Sequence, residues 1–266
     1  MTIDLRDRVA VVTGAGRGIG REIALTLARE GVKTVGTDVD QGNLDDLGAE
    51  LDAQSLTGRQ HRCDVRDSSQ VQAVVDRTVE DFGRIDILVN NAGIVSDAPL
   101  DRLSEEAWDA VVDVNLKGTF LFSKAVLPVM KKQKSGRIIN AASFAAIIPR
   151  AGTGAYAPSK AGVVYLTRVL AAELGPWDIT VNCYAPGMVP TPMNFYDEEP
   201  EEKQKQNLDM LTLKRWGSRG DVANLVCFLA SDLASYITGT LIDVSGGKLT
   251  TQIPRDPYDW IEASRD

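Results

Sequence analysis

The stretch Arg8-Val-Ala-Val-Val-Thr13 is apolar and β-branched, runs into Gly14-Ala-Gly-Arg-Gly-Ile-Gly20, and is followed by Arg21-Glu-Ile-Ala-Leu-Thr-Leu-Ala-Arg-Glu30. The order is strand, glycine turn, helix. Glycines at such a turn remove Cβ atoms, so the backbone can approach a pyrophosphate whose charge is met by the amides and dipole of the helix start. A second apolar segment, Val32-Lys-Thr-Val-Gly-Thr37, follows the helix and ends at Asp38, which completes the context of a dinucleotide fingerprint. Gly14, Arg17, Gly18, Ile19 and Gly20 are the candidate phosphate-loop residues. Asp38 lies where the carboxylate closing a second strand bonds the adenosine ribose hydroxyls, and it repels a 2′-phosphate. Arg17 pulls the other way, because a guanidinium in the loop can pair with that phosphate. NAD is the expected cofactor, since Asp38 lies against the ribose itself whereas Arg17 can swing into solvent.

Working outward, apolar segments near residues 8, 32, 60, 85, 136, 179 and 240 alternate with helical stretches. That is the pattern of a Rossmann-type, doubly wound α/β fold: a parallel sheet of about seven strands with helices on both faces. At 266 residues, with no proline- or serine-rich linker, one domain is expected. It spans residues 1–250, includes a substrate lid at 188–216, and is followed by an extension at 251–266. In that extension two prolines argue against a continuous helix. Tyr258, Trp260 and Ile261 read as anchors that pack on the body or on a neighbouring subunit.

Composition excludes several classes. A net charge of −8 argues against broad nucleic-acid binding. No apolar stretch is long enough to span a membrane, and the amino terminus shows no apolar signal region, so a cytoplasmic location is expected. Cys63, Cys183 and Cys227 are far apart and read as reduced core thiols, and the single histidine, His61, has no companions that would make a metal site.

The chemistry is suggested by Ser143, Tyr156 and Lys160, which follow the apolar run Arg137-Ile-Ile-Asn-Ala-Ala-Ser143. Tyrosine and lysine four residues apart share one helix face, where the ammonium can favour the ionised phenol. Ser143, at the carboxyl end of a strand, can hold a carbonyl oxygen. Taken alone, Tyr-x-x-x-Lys is also what an exposed aromatic beside a solvated lysine looks like.

Thr13-Gly-x-x-x-Gly-x-Gly20, Asn90-Asn-Ala-Gly93, Ser143, Tyr156-x-x-x-Lys160 and Pro186-Gly187 occur in the order seen in short-chain dehydrogenases/reductases, which the sequence resembles over nearly its whole length. Further segments of the same kind close the chain: Arg215-Trp-Gly-Ser-Arg-Gly-Asp-Val-Ala223, Phe228-Leu-Ala-Ser231, Ile237-Thr-Gly239 and Asp243-Val-Ser-Gly-Gly247. The resemblance implies Tyr156 as general acid/base, Lys160 as its pKa-lowering partner and ribose ligand, Ser143 as holder of the substrate oxygen, and Asn115 as anchor of a relay water. It places Asp64 and Val65 at the adenine, Asn91, Ala92 and Gly93 beside the adenosine ribose, and Pro186, Gly187, Val189 and Thr191 at the nicotinamide amide. A homotetramer is the assembly that goes with the family.

The implied reaction is NAD-dependent interconversion of a secondary alcohol and its ketone, with a polyol, sugar or cyclic alcohol as the expected small-molecule substrate. The alternative is an NADPH-dependent 3-oxoacyl-(carrier protein) reductase. Asp38 disfavours that cofactor, and the acidic run Asp197-Glu-Glu-Pro-Glu-Glu202 in the lid repels an acidic carrier. A more remote alternative is a non-catalytic NAD(H)-sensing protein, although such proteins tend to lose the tyrosine or lysine kept here. Val95, Ser96, Phe144, Ala145, Ala146, Ile148, Arg150 and the lid residues Met188, Met193, Phe195 and Tyr196 are expected to line the substrate pocket, with Arg150 as the candidate partner for an anionic group.

Overall fold

Strands with both faces covered by helices must be apolar on both sides, and the central strands meet that condition, whereas the edge segment near residue 60 is the polar Gly58-Arg-Gln-His-Arg62. The structure, a computed structural model that describes residues 3–263, places all of them in one sheet. The strands are β1 (Val9–Thr13), β2 (Lys33–Asp38), β3 (Gly58–Arg62), β4 (Ile87–Asn90), β5 (Gly136–Ala141), β6 (Ile179–Pro186) and β7 (Leu241–Val244). Their order is β3-β2-β1-β4-β5-β6-β7, and every neighbouring pair is parallel. The chain reverses direction across the sheet between β1 and β4. Their carboxyl ends therefore open a crevice in which an α/β sheet binds ligands.

The helices are α1 (Gly18–Arg29), α2 (Gln41–Ala53), α3 (Ser68–Phe82), α4 (Glu105–Val112), α5 (Gly118–Gln133), α6 (Tyr156–Leu174), α7 (Glu201–Asp209), α8 (Arg219–Ala230) and α9 (Asp256–Ala263). Alternation along the strands divides the core. Ala10, Val12, Ile87 and Val89 face α1 and α8, meeting Ile23, Leu27, Val222 and Val226. Val11, Leu88, Ile138 and Val181 face α3, α5 and α6, meeting Val74, Phe122, Val126 and Leu170. Each such side chain, fully buried, contributes about 1.5–3 kcal/mol. Together they hold the strand ends in fixed register beneath the crevice. Cys63, Cys183 and Cys227 are buried and unpaired within this core.

The segment after Thr251 differs from the expectation. A short helix, α9, does form, because Pro257 falls in its first turn, where the missing N–H costs no intrahelical bond. Of the three expected anchors, Tyr258 docks. Its hydroxyl donates to the Thr212 carbonyl at 2.6 Å, and the Lys214 ammonium lies 4.3 Å from its ring centroid. Trp260 stays 68 % exposed and is not an anchor within this chain. Residues 264–266 of the predicted extension lie outside the described residues.

Among the described residues no helix is long and apolar enough to cross a membrane, and no group of histidine, cysteine, aspartate or glutamate side chains is placed to hold a metal ion.

Candidate active site

Helices α2, α3, α4 and α8 start with a side chain that accepts a first-turn amide, from Asp40, Asp67, Ser104 and Ser218. Helix α1 does not, since its N-cap is Arg17, extended at φ −152° and without a capping bond. Its first-turn N–H groups are therefore left for an anion. Gly14 and Gly18 adopt positive φ of +63° and +61°, and a Cβ on Gly20 would lie 2.1 Å from the Gly14 carbonyl oxygen. The loop is thus folded on itself in a way that only glycine permits.

Asp38, the last residue of β2, is fixed against this loop. Its Oδ2 accepts the Gly16 N–H at 3.1 Å and its Oδ1 the Asp40 N–H at 3.2 Å. Arg17 is exposed and forms no ion pair among the described residues. Ile19 is half-buried and packs on the core below. These features fit a dinucleotide with a free ribose hydroxyl.

The glycine loop is bound to the chain that follows β4. The Thr13 hydroxyl accepts the N–H groups of Asn91 and Ala92, each at 3.0 Å, while the Asn91 amide donates to the carbonyls of Thr13 at 3.1 Å and Gly14 at 3.3 Å. The buried Tyr184 hydroxyl donates to Asn91 Oδ1 at 3.1 Å. Tyr184 carries no motif in the sequence and was not foreseen as part of the site. Its burial holds the phenol well above its ordinary pKa, so it stays a neutral donor.

At the adenine end, Val65 is buried and packs close to Gly118, whereas the Asp64 carboxylate is gripped by Arg66 at 2.6 Å. That contact holds the Asp64 carboxyl below its ordinary pKa. Val39, Arg62, Asp64, Arg66 and Gln70 line an open recess beside it. At the opposite end, Pro186 closes β6, and Gly187 packs on Ser245 with its N–H donating to the Val244 carbonyl at 3.0 Å. Val189 is buried, and Thr191 returns toward the glycine loop, its Cβ 3.8 Å from where a Gly18 Cβ would stand.

Between these ends lie the chemical groups. Ser143, two residues past β5, accepts the Ala145 N–H on its Oγ at 3.1 Å and lies near enough to the Tyr156 phenol to favour its ionised form. Tyr156 is the first residue of α6, and Lys160 stands one turn later. The Lys160 ammonium is 4 % exposed, donates to the Ala141 carbonyl at 2.7 Å, and lies 5.9 Å from the Tyr156 ring centroid. No carboxylate pairs with it among the described residues, and burial lowers its pKa to about 8.

The expectation that Lys160 favours the ionised phenol is not what the chain alone displays. Tyr156 is raised above its ordinary pKa by burial, with Ser143 pulling the other way. The physical reason is that the ammonium is turned toward a backbone carbonyl rather than the phenol oxygen. Asn115, the residue expected to anchor a relay water, is tied into the structure around it. It lies in a π-helical turn, Asp113–Lys117, between α4 and α5, and is completely buried. Its Nδ2 donates to the Ile94 carbonyl and to Ser159 Oγ, each at 3.0 Å, and its Oδ1 accepts the Ile94 N–H at 2.9 Å. Ser159 in turn donates to the Tyr156 carbonyl at 2.7 Å. The side chain of Asn115 therefore pins both the loop after Gly93 and the first turn of α6.

On the substrate side, Tyr196 from the lid stacks on Trp216, with ring centroids 5.9 Å apart and planes 10° apart. Arg150 pairs with Asp97, joining the loops after β4 and β5, and is not the free cation the sequence suggested. Asp97 and Trp216 were not singled out beforehand.

Comparison with known proteins agrees with this geometry. The family model described as enoyl-(acyl carrier protein) reductase matches residues 14–248. A 3-oxoacyl-(acyl-carrier-protein) reductase of Thermotoga maritima is 43 % identical over 245 residues, 91 % of this chain and 98 % of that protein. The BbsD subunit of a hydroxy(phenyl)methyl-succinyl-CoA dehydrogenase of Thauera aromatica is also 43 % identical, covering 92 % of this chain and 97 % of that one. Among solved structures, levodione reductase superposes with a TM-score of 0.86 at 39 % identity, covering 91 % of this chain and 97 % of its own. The chain belongs to the short-chain dehydrogenase/reductase family.

Proposed function

We propose that the protein transfers a hydride between a nicotinamide dinucleotide and the carbinol or carbonyl carbon of a 3-hydroxyacyl or 3-oxoacyl thioester, with NAD(H) as the preferred form. The observation that carries the reaction is the meeting of Ser143 and Tyr156 beside a buried Lys160, whose ammonium lies 5.9 Å from the Tyr156 ring centroid. The dinucleotide supplies or accepts the hydride when bound. Ser143 Oγ holds the substrate oxygen, Tyr156 Oη exchanges its proton, and Lys160 steadies the ribose side of the site. Asn115 keeps Tyr156 in place through Ser159. The thioester substrate is supported by the two relatives that act on acyl-carrier-protein and CoA esters. The NAD(H) preference is supported by Asp38, which two backbone amides hold at the ribose position.

A free polyol, sugar or cyclic alcohol is the second reading. It is favoured by the acidic lid around Asp197 to Glu202, which opposes an acidic carrier, and by the likeness to levodione reductase. The division into a body of residues 1–250, a lid at 188–216 and an extension at 251–266 belongs to the same proposal, as do a cytoplasmic homotetramer and the cofactor and catalytic roles given to the individual residues.

The test is a panel of 3-hydroxyacyl thioesters, polyols, sugars and cyclic alcohols assayed by nicotinamide absorbance with NAD and NADP side by side. The expected result is thioester oxidation with NAD favoured at least about tenfold, and a reversal of that preference in Asp38→Ala. Turnover confined to free alcohols selects the second reading. Activity confined to NADP overturns the role of Asp38.

A further inference from the structure

Lys248 follows the Gly246-Gly247 turn after β7 and was not a candidate from its motif. Its ammonium lies 5.0 Å from the centroid of the Phe144 ring, and Phe144 is the neighbour of Ser143. The backbone at Lys248 is fixed from two sides. Its N–H donates to Ser245 Oγ at 3.1 Å, and it bridges to Leu211 at the base of the lid. The charges around it can be followed pairwise. Arg150 is within electrostatic reach of Lys248 and is neutralised by Asp97. Glu199, which is within reach of Tyr196, is neutralised by Lys203 at 2.7 Å. Asp97 and Tyr196 are both within electrostatic reach of Tyr156. Lys248 is half-buried and pairs with no carboxylate among the described residues. Burial and Arg150 together lower its pKa. A desolvated ammonium without a counter-ion is costly to keep, and a ligand anion removes that cost.

We propose, resting on the thioester hydride-transfer reading above, that Lys248, with Arg150 behind it, binds an anionic group of the substrate, so that the thioester carries a second, free carboxylate near the reacting carbon. The Lys248 ammonium over the Phe144 ring is the group that meets it. Because Phe144 adjoins the residue that holds the reacting oxygen, the anion and the carbinol belong to the same end of the molecule. Lys248 acts on binding and specificity and takes no part in moving the proton.

The test compares 3-hydroxyglutaryl-CoA with 3-hydroxybutyryl-CoA, which differ in that carboxylate, on wild type, Lys248→Met and Lys248→Arg. The ratio of kcat/KM between the two is expected to fall on the order of ten- to a hundredfold in Lys248→Met and to be largely restored in Lys248→Arg. Loss of both activities in equal proportion overturns the proposal, and so does an unchanged ratio. NADH binding and thermal midpoint, measured on each variant, show whether it has folded. If wild type oxidises neither compound, the thioester reading fails separately. Calorimetric titration of the enzyme–NADH complex with 3-hydroxyglutarate then decides the anion site. Tighter binding by wild type than by Lys248→Met supports it, and equal binding or none overturns it.

Discussion

The two sides of the crevice are made from different materials. The cofactor side, from Thr13 to Gly20 with Asp38 and Asn91, is built from backbone: glycines packed without Cβ atoms, amides left open at the start of α1, and carbonyls bound by Asn91. The substrate side is built from side chains of separate segments, with Asp97, Phe144, Arg150, Tyr196, Trp216 and Lys248 meeting through ion pairs, stacking and a cation over a ring. Backbone construction ties binding to folding, since the same close contacts serve both. Side-chain construction lets specificity change while the fold stays as it is.

The largest effect that follows from this difference is at Gly20. An added methyl would stand 2.1 Å from the Gly14 carbonyl oxygen and 2.4 Å from the Asn91 amide nitrogen, and neither belongs to a side chain that can swing away freely. Gly20→Ala is expected to lose about 4 kcal/mol or more of stability, together with NADH binding. Urea denaturation and NADH fluorescence titration measure the two losses on the same preparation. A variant that stays fully stable but no longer binds NADH would break the link between folding and cofactor binding claimed for this side.

Tyr156→Phe is the matching change on the other side. Removing Oη takes away the proposed proton carrier and leaves the ring packed. Turnover is expected to fall about a hundred- to ten-thousandfold, with NADH affinity and thermal midpoint little changed. Retained turnover would move the proton transfer to another group. A protein that never turned over but whose response to NADH survived the change would be the sensor raised by the sequence.

This difference in materials also explains what the sequence disclosed. Apolar runs mark the central strands, the polar edge strand β3 being placed by the alternation around it, and the glycine loop with Asp38 is legible because a phosphate cradle demands those residues at that spacing. Ser143, Tyr156 and Lys160 are legible through their order along the chain. Tyr184 could not be found that way, because a tyrosine inside the apolar strand β6 reads as core until Asn91 is seen beside its hydroxyl. Nor could the pairing of Arg150 with Asp97, which depends on how two loops of irregular backbone approach each other. Lys248 was hidden in another way. Its cue is the lack of a partner, and that is a property of the surroundings rather than of the residue. The two prolines bound the helix of the extension rather than forbid it: Pro254 precedes it and Pro257 falls in its first turn.

The smallest expected effect concerns Lys160, where the two sides touch. Its pKa is about 8 in the folded chain against an ordinary 10.5. Between those values the unfolded chain holds a proton that the folded chain has shed, so stability rises with pH across that window. Below it both states are charged, and the folded state bears the whole cost of burial. That cost is at most about 3 kcal/mol, and the bond to the Ala141 carbonyl offsets part of it. Lys160→Met keeps the stem and removes the charge. Near pH 7 the variant is expected to be more stable than wild type by up to about 3 kcal/mol while losing most turnover. The gap should close as pH approaches 10.5, followed by urea denaturation of both proteins over the same range. A gap that does not vary with pH would mean that the ammonium is fully compensated where it lies. The chemical centre would then be no more strained than the glycine loop beside it, and the contrast between the two sides would lie in their materials and not in stored cost.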